Sequence, residues 1–212
     1  MRQTIVQKMT RMSTAIDNSM KYSNIMAALK RVGYTLPMLQ EGKANLEEFR
    51  ILHESQNQKY GDQFGVGKAF KDDLRKAKQT HAIHRKLAKI AYANDKSVYT
   101  QLGLGKLDVS IDNWLAYVDN FYSVLLKNSG PIAQYISEEE MAQMQASIQA
   151  LYEGRHKHFA CKGEAQHATQ KRNEAMRKMD AWMSNFRKAA RFALQDEPQL
   201  LEVLGIVVRT HA

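Results

Sequence analysis

The sequence predicts an all-α protein: a duplicated helical bundle, of four-helix-bundle or coiled-coil type, with short flanking helices. Three observations carry that expectation. The 212 residues include only three Pro and 11 Gly, while residues that cost least in a helix interior (Ala, Glu, Gln, Lys, Arg, Leu, Met) fill long stretches. Apolar residues recur at alternating steps of three and four, the spacing of helices packed at shallow angles. The chain also matches itself at an offset of 102, with Asp17-Asn18 on Asp119-Asn120, Gly61 on Gly163, Arg75-Lys76 on Arg177-Lys178, Arg85-Lys86 on Arg187-Lys188, and Leu102-Gly-Leu104 on Leu204-Gly-Ile206. That register needs no gap from Ile16 to Leu104. The expected organisation is therefore two helical copies, residues 1–105 and 106–212, packed as one unit.

In chain order, a first helix is expected over 12–31. Its partner spans 112–127, opening after Ser110-Ile-Asp112 and stopping at Asn128-Ser-Gly-Pro131. The main stripe of copy one then runs Leu39, Gly42, Leu46, Phe49, His53 and resumes at Phe70, Leu74, Ala77, His81, His84, Ala88, Ala91. Copy two gives Met141, Met144, Ile148, Leu151, then Met176, Met179, Met183, Phe186, Ala190, Ala193. Between the two halves of each stripe the seam turns polar (Arg155, His158, Lys162, Thr169) or glycine-rich (Gly61, Gly65, Gly67). The expectation for 36–94 and 137–195 is a helical hairpin with its tip near 61–67 and 163–169. The alternative is two unbroken helices of nearly sixty residues, because the heptad phase survives the gap. Short helices should follow Asp95 and Asp196-Glu-Pro198, each closed by a Leu-Gly-Leu/Ile cap.

Composition narrows the class. With 44% apolar and 25% charged residues the chain has ordinary globular usage, which excludes disordered and collagen-like classes. A single Cys excludes an internal disulfide framework and a Cys-rich metal cage. No apolar run is long enough for a secretory signal or a bilayer span, so membrane insertion is not expected and a cytoplasmic location is.

Charge is patterned the same way in both copies. Segment 36–62 carries three basic and five acidic residues, and 68–96 carries nine basic and three acidic. Segment 137–153 has four acidic residues and no basic one, and 155–191 has ten basic and three acidic. An acidic arm followed by a basic arm, twice over, can be satisfied by antiparallel neighbours or by successive subunits.

No catalytic constellation stands out. His81-Ala-Ile-His84 has metal-ligand spacing on a helix, yet both lie on the apolar seam and align with Met183 and Phe186, which favours core histidines. Glu153-Gly-Arg-His156 and Glu164-Ala-Gln-His167 match the Glu-x-x-His of di-iron bundles, but Ile51, Glu54, Asp62 and Gly65 replace those residues in copy one. Cys161 has His158 three residues away and aligns with Lys59, as an incidental thiol would. Neither an enzyme, a metal nor a cofactor is expected.

Interaction surfaces are better marked. Arg75, Lys78, Lys86 and Lys89 lie on one helical face, with Arg85 beside them, and Arg177, Lys178, Arg187, Lys188 and Arg191 form the counterpart. A chain of net charge +9 could hold nucleic acid on such faces, although no recognition motif or aromatic interleaving accompanies them. The outer faces lack the bulky apolar stripe of a membrane-surface helix. Met residues fill the seam and the first helix, so the segment Met1–Met26 could also dock on a neighbour. The tail Ile206, Val207 and Val208 is apolar past the last cap and must pack within the chain or against another subunit.

The residues also resemble a group of bacterial tandem-repeat helical-bundle proteins of uncharacterised role. The resemblance rests on Gly33-Tyr-Thr35 with Leu39-Gln-Glu-Gly42, Tyr60-Gly61, Ala88-Lys-Ile-Ala91, Trp114 with Phe121-Tyr122, Asp180-Ala-Trp182 and the ending Leu201-Glu-Val-Leu-Gly-Ile-Val-Val208. It implies a tandem helical bundle and supplies no catalytic or binding residue. The functional expectation is a structural or scaffolding protein forming a homo-oligomer or larger assembly, through the apolar tail, the basic faces, and Glu47, Glu48, Glu138 and Glu139. The alternative is a nucleic-acid-associated protein using the basic faces.

Overall fold

Helix signals in the sequence translate into seven helices and no strand among residues 4–105 and 110–208, the residues described by the computed structural model. Residues 1–3 of the N-terminal segment, 106–109 at the expected junction of the copies, and 209–212 of the tail lie outside that description. The helices are α1 (Ile5–Lys21), α2 (Ser23–Arg31), α3 (Leu36–Ala91), α4 (Lys96–Gln101), α5 (Ile111–Lys127), α6 (Glu138–Ala193) and α7 (Gln199–Val203). The all-α class is thus as the sequence indicates.

The start signals act through side-chain caps. The Ser110 hydroxyl accepts from the Asn113 amide at 3.3 Å to open α5, and Asp95 accepts from Val98 at 3.0 Å to open α4. Ser137 and Glu140 form a capping box ahead of α6: Ser137 Oγ accepts from the Glu140 amide at 3.2 Å, and Glu140 accepts from the Ser137 amide at 2.9 Å. These bonds satisfy amides that the first helical turn leaves without partners. After α4 and α7 the chain reverses at Gly103 and Gly205, with φ of +58° and +67°, a region that side chains with a Cβ rarely enter.

Two expectations change. The first helix starts earlier, on a Thr4/Gln7 capping box, and breaks at Tyr22, whose extended backbone (φ −96°, ψ 114°) separates α1 from α2. No Gly or Pro signals that break; it lets Met9, Met12 and Ile16 of α1 and Ile25 and Leu29 of α2 all reach one core. More consequentially, the hairpins do not form: α3 and α6 are unbroken helices of 56 residues each. A hairpin tip needs residues that leave helical geometry, and Gly61, Gly65, Gly67 and Gly163 all keep φ negative. Each interior glycine costs about 1 kcal/mol relative to Ala, yet a glycine weakens a helix without ending it. Gly67 is buried where the His158 ring lies against it.

The described residues gather into two compact units, one from 1–59 with 164–212 and one from 60–163. In the first, α3 and α6 run antiparallel: Lys59 Nζ meets Glu164 at 2.8 Å, Gln56 Nε2 donates to Thr169 Oγ1 at 3.3 Å, and Lys178 Nζ reaches Glu48 at 3.3 Å. Helix α1 joins them through Lys43–Asp17 (2.8 Å) and Lys8–Asp180 (2.5 Å), and Asn18 Nδ2 donates to the Val203 carbonyl at 2.6 Å. The core holds Ile16, Ile25, Leu29, Leu39, Phe49 and Phe186.

The second unit has the same antiparallel pairing of the other halves, with the Phe70 and His158 rings stacked at 6.3 Å between centroids. Helix α5 buries Trp114, Leu115, Val118, Phe121, Tyr122 and Leu125, a stripe at helical spacing, on that pair. In each unit an acid-rich stretch of one long helix therefore lies beside a base-rich stretch of the other. The acidic-then-basic order is met by antiparallel neighbours inside the chain.

Candidate functional site

The basic faces come first, because their helices position them directly. In the second unit Arg75, Lys78, Lys86 and Lys89 are exposed on α3. Arg75 pairs with Asp72 at 3.0 Å, and the Lys78 ammonium stands 5.4 Å from the Trp114 ring centroid. Arg85 is half-buried and donates to the Gly105 carbonyl, so it braces the chain after α4. Lys86 and Lys89 carry this face into solvent.

In the first unit the counterpart residues divide. Lys178 holds Glu48 across the helix pair, and Arg177 and Lys188 are exposed. Arg187 and Arg191, one turn apart and also exposed, line a cleft of about 280 Å³ between α1, α6 and the segment after α7. Lys8 and Arg11, one turn apart on α1, line the same cleft, and Ala15, Met183, Leu204 and Ile206 supply apolar lining. Lys8 is neutralised by Asp180 at 2.5 Å. Lys8 and Arg11 are not among the basic positions expected from the sequence. Their local signal was a basic i, i+3 pair interleaved with Met9 and Met12, but their relation to Arg187 is set by tertiary packing.

The acidic candidates are engaged close to home. Glu47 pairs with Arg50 at 2.9 Å, Glu138 accepts from Ser129 Oγ at 2.7 Å, and Glu139 accepts from Gln143 Nε2 at 3.2 Å. The exposed Glu47–Arg50 ion pair contributes about 0–1 kcal/mol. In the tail, Ile206 is buried and Val208 packs on the same core, while Val207 stays 78% exposed.

A second concavity, about 390 Å³, opens between α3 and α6 in the second unit. Its lining is largely apolar (Val66, Phe70, Ala77, Met144, Ala150, Leu151), with Asp73, Lys76 and Lys157 also contributing. Thr80 and Met144 in this groove stand 102 positions from Trp182 and Gly42. In the first unit the Trp182 indole lies against Gly42, stacked on Phe186 at 5.4 Å and edge-on to Tyr34 at 6.0 Å. In the second unit Thr80 and Met144 line an open groove.

The seam histidines form a buried aromatic cluster. His81, 3% exposed, sits edge-on to Trp114, Tyr117, Phe121 and Tyr122 with centroids 5.0–6.4 Å away, and its Nε2 has no hydrogen-bond partner. Burial, reinforced by Arg85 and His84, pushes its pKa down to about 4. His84 Nδ1 and Tyr122 OH share a hydrogen bond of 2.9 Å, and burial lowers the His84 pKa and raises that of Tyr122. Among the described residues no three His, Cys, Asp or Glu side chains gather as a metal site.

No protein-family model, curated protein or solved structure matches this chain. Among the described residues no helix is long and apolar enough to cross a membrane.

Proposed function

We propose that this chain is a non-enzymatic structural protein that self-associates head to tail, the apolar groove of one copy receiving an apolar strip from the next. The observation that carries this reading is the groove itself, lined by Phe70, Ala77, Met144 and Leu151 and bordered by Lys76 and Lys157. Phe70, Ala77, Met144 and Leu151 are 4–8% exposed, so the groove offers a partner a narrow apolar floor between the two helices.

The occupant that fits is a second copy. On α3 of the first unit, Ala44, Ile51 and Leu52 form a shallow apolar strip with Glu47 and Glu48, and Ile51 is 57% exposed. Glu47, Glu48 and Lys76 are paired within the chain with Arg50, Lys178 and Asp73, so the contact would exchange these exposed pairs for intermolecular ones, which sets register more than it adds affinity. Because strip and groove are different surfaces, the contact is heterologous. Such contacts extend into filaments unless rotation closes them into a ring. The internal match at an offset of 102 supports the reading, as do the equal lengths of α3 and α6 and their starts 102 residues apart: a duplicated unit would offer related surfaces at two places on one chain.

Light-scattering mass across a dilution series, at low and high salt, tests this. A mass above the monomer that falls with dilution and with salt is expected. A monomer at all concentrations would remove the reading. A second reading, nucleic-acid association, draws on exposed Lys86 and Lys89. It predicts a monomer that releases material absorbing at 260 nm when salt is raised.

A further inference from the structure

Two phenyl rings of the second unit stand in solvent away from the groove: Phe64 on α3 is 76% exposed and Phe159 on α6 is 53% exposed. Scattered exposed apolar side chains are ordinary, but these two share one side and one level of the antiparallel pair. Lys78, two heptads after Phe64 and so on the same side of α3, has its ammonium 5.4 Å from the Trp114 ring centroid on α5. Arg155, one turn before Phe159 and on the same side of α6, is held by Asp112 of α5 at 2.5 Å. Both rings therefore continue the side on which α5 docks. Their level follows from the register. The His158 ring lies against Gly67. Phe64 precedes Gly67 by three residues, and Phe159 follows His158 by one on a helix that runs the other way. At about 1.5 Å of rise per residue, the two positions are level to within about 3 Å.

The charge around the rings is of one sign. Lys68 and Lys71 follow Phe64 at i+4 and i+7, and Lys162 follows Phe159 at i+3. All three are exposed, and among the described residues none of them forms an ion pair. The Arg155 guanidinium lies 5.0 Å from the Phe159 ring centroid. Asp62 and Glu153, the acidic residues nearest in sequence, stand two positions from Phe64 and Arg155 and so face elsewhere.

We propose that this face binds single-stranded nucleic acid, with bases stacking on Phe64 and Phe159 and phosphates meeting Lys68, Lys71 and Lys162. Exposed rings on a cationic surface accept any base through its π-face, so no sequence has to be read. Helix axes in a packed pair lie about 8–10 Å apart, which sets the two rings apart to take separate bases of one strand. A duplex keeps its bases stacked on one another and offers this face phosphates alone. An acidic protein would use the lysines and leave the rings idle, and two rings are too little apolar surface to anchor a helix at a membrane. The ligand class is that of the second reading above, but the residues are other than Lys86 and Lys89. The groove opens on another side of the helix pair: Lys76 and Lys157 line it, and they stand two positions from Lys78 and Phe159. Self-association through the groove thus leaves this face open.

The test is fluorescence anisotropy of a labelled oligothymidylate of about 12 nucleotides, within the site sizes of such surfaces, titrated with the full chain at low and high salt. Expected is saturable binding that weakens with salt. Phe64→Ala/Phe159→Ala should weaken it at least tenfold and leave the salt slope unchanged, because stacking is lost and no charge is. Lys71→Gln/Lys162→Gln should weaken it and flatten the slope, while Lys86→Gln/Lys89→Gln should bind as the parent does. A duplex of the same length should bind more weakly and ignore the ring substitutions. Circular dichroism of each variant separates loss of binding from loss of fold. A folded ring variant that binds as the parent does overturns the site. So does absence of saturation at low salt up to about 100 μM chain, a level that would detect micromolar affinity. Loss of binding in the Lys86/Lys89 variant alone also overturns it, and leaves the second reading standing. Binding to phosphatidylserine vesicles but not to the oligonucleotide overturns it as well. The ring variant should keep the light-scattering mass of the parent, so this site can fail while self-association stands, or the reverse.

Discussion

The indole of Trp182 lies directly on the backbone of Gly42, where a Cβ would overlap the six-membered ring. Position 42 is buried, and the ring above it is held by Phe186 stacked behind and Tyr34 at its edge. The indole cannot swing aside without disturbing the core of the first unit.

Gly42→Ala should therefore destabilise the protein, although Ala is the better helix former by about 1 kcal/mol. Overpacking against a fixed ring costs about 1–3 kcal/mol, so the net loss should be about 0–2 kcal/mol. Urea unfolding of the two proteins checks the sign. The double variant Gly42→Ala/Trp182→Leu should show the Ala substitution as stabilising, since the obstacle is gone.

Stability should fall as pH drops from 6.5 toward 4. His81 takes up its proton at about 4 in the folded state and at the ordinary 6.5 when unfolded, so the unfolded state binds more protons in that window. A depression of this size corresponds to about 3 kcal/mol at most. Below the folded value the loss is complete. Carboxylates held low, such as Asp17 by its hydrogen bond from Lys43, add their own loss at more acid pH. His81→Met, the residue found 102 positions later, should flatten the pH 4–6.5 region in unfolding experiments and raise stability at pH 5.

Gly103 and Gly205 separate two costs. Both have positive φ, so Ala at either carries the left-handed penalty of about 1–2 kcal/mol. Around Gly205 nothing lies within 4 Å of an added Cβ, whereas at Gly103 the Tyr117 ring would be 2.9 Å away. Gly103→Ala should therefore lower the unfolding midpoint more than Gly205→Ala. Equal losses would mean the Tyr117 ring yields freely.

Much of this architecture was legible in the chain. The seam from Leu39 to Ala88 and from Met141 to Ala190 is buried largely as its three-four spacing indicates, because side chains at that spacing share one face. The caps at Asp95, Ser110 and Gly103 follow from local chemistry. The cluster Gly61, Gly65 and Gly67 misled, because glycine lowers helix propensity without specifying a turn, and antiparallel pairing outweighs the loss. The break at Tyr22 carries no local signal. The basic cleft was half visible: Arg187 and Arg191 share a helix face, but Lys8 and Arg11 reach them across some 180 positions of sequence. The open groove was invisible, since Thr80 and Ala77 read as ordinary helix residues and the groove arises from how α3 and α6 pack.

The most direct measurement of the central claim is light-scattering mass on two surface variants, alone and mixed. Ile51→Lys alters the strip and leaves the groove, while Ala150→Trp fills the groove and leaves the strip; both positions are solvent-exposed. Each variant alone should be monomeric. Mixed in equal amounts, they should form a dimer and nothing larger, because only one intact strip meets one intact groove. A mixture that stays monomeric while the parent assembles would contradict the head-to-tail account, as would variants that assemble on their own as the parent does.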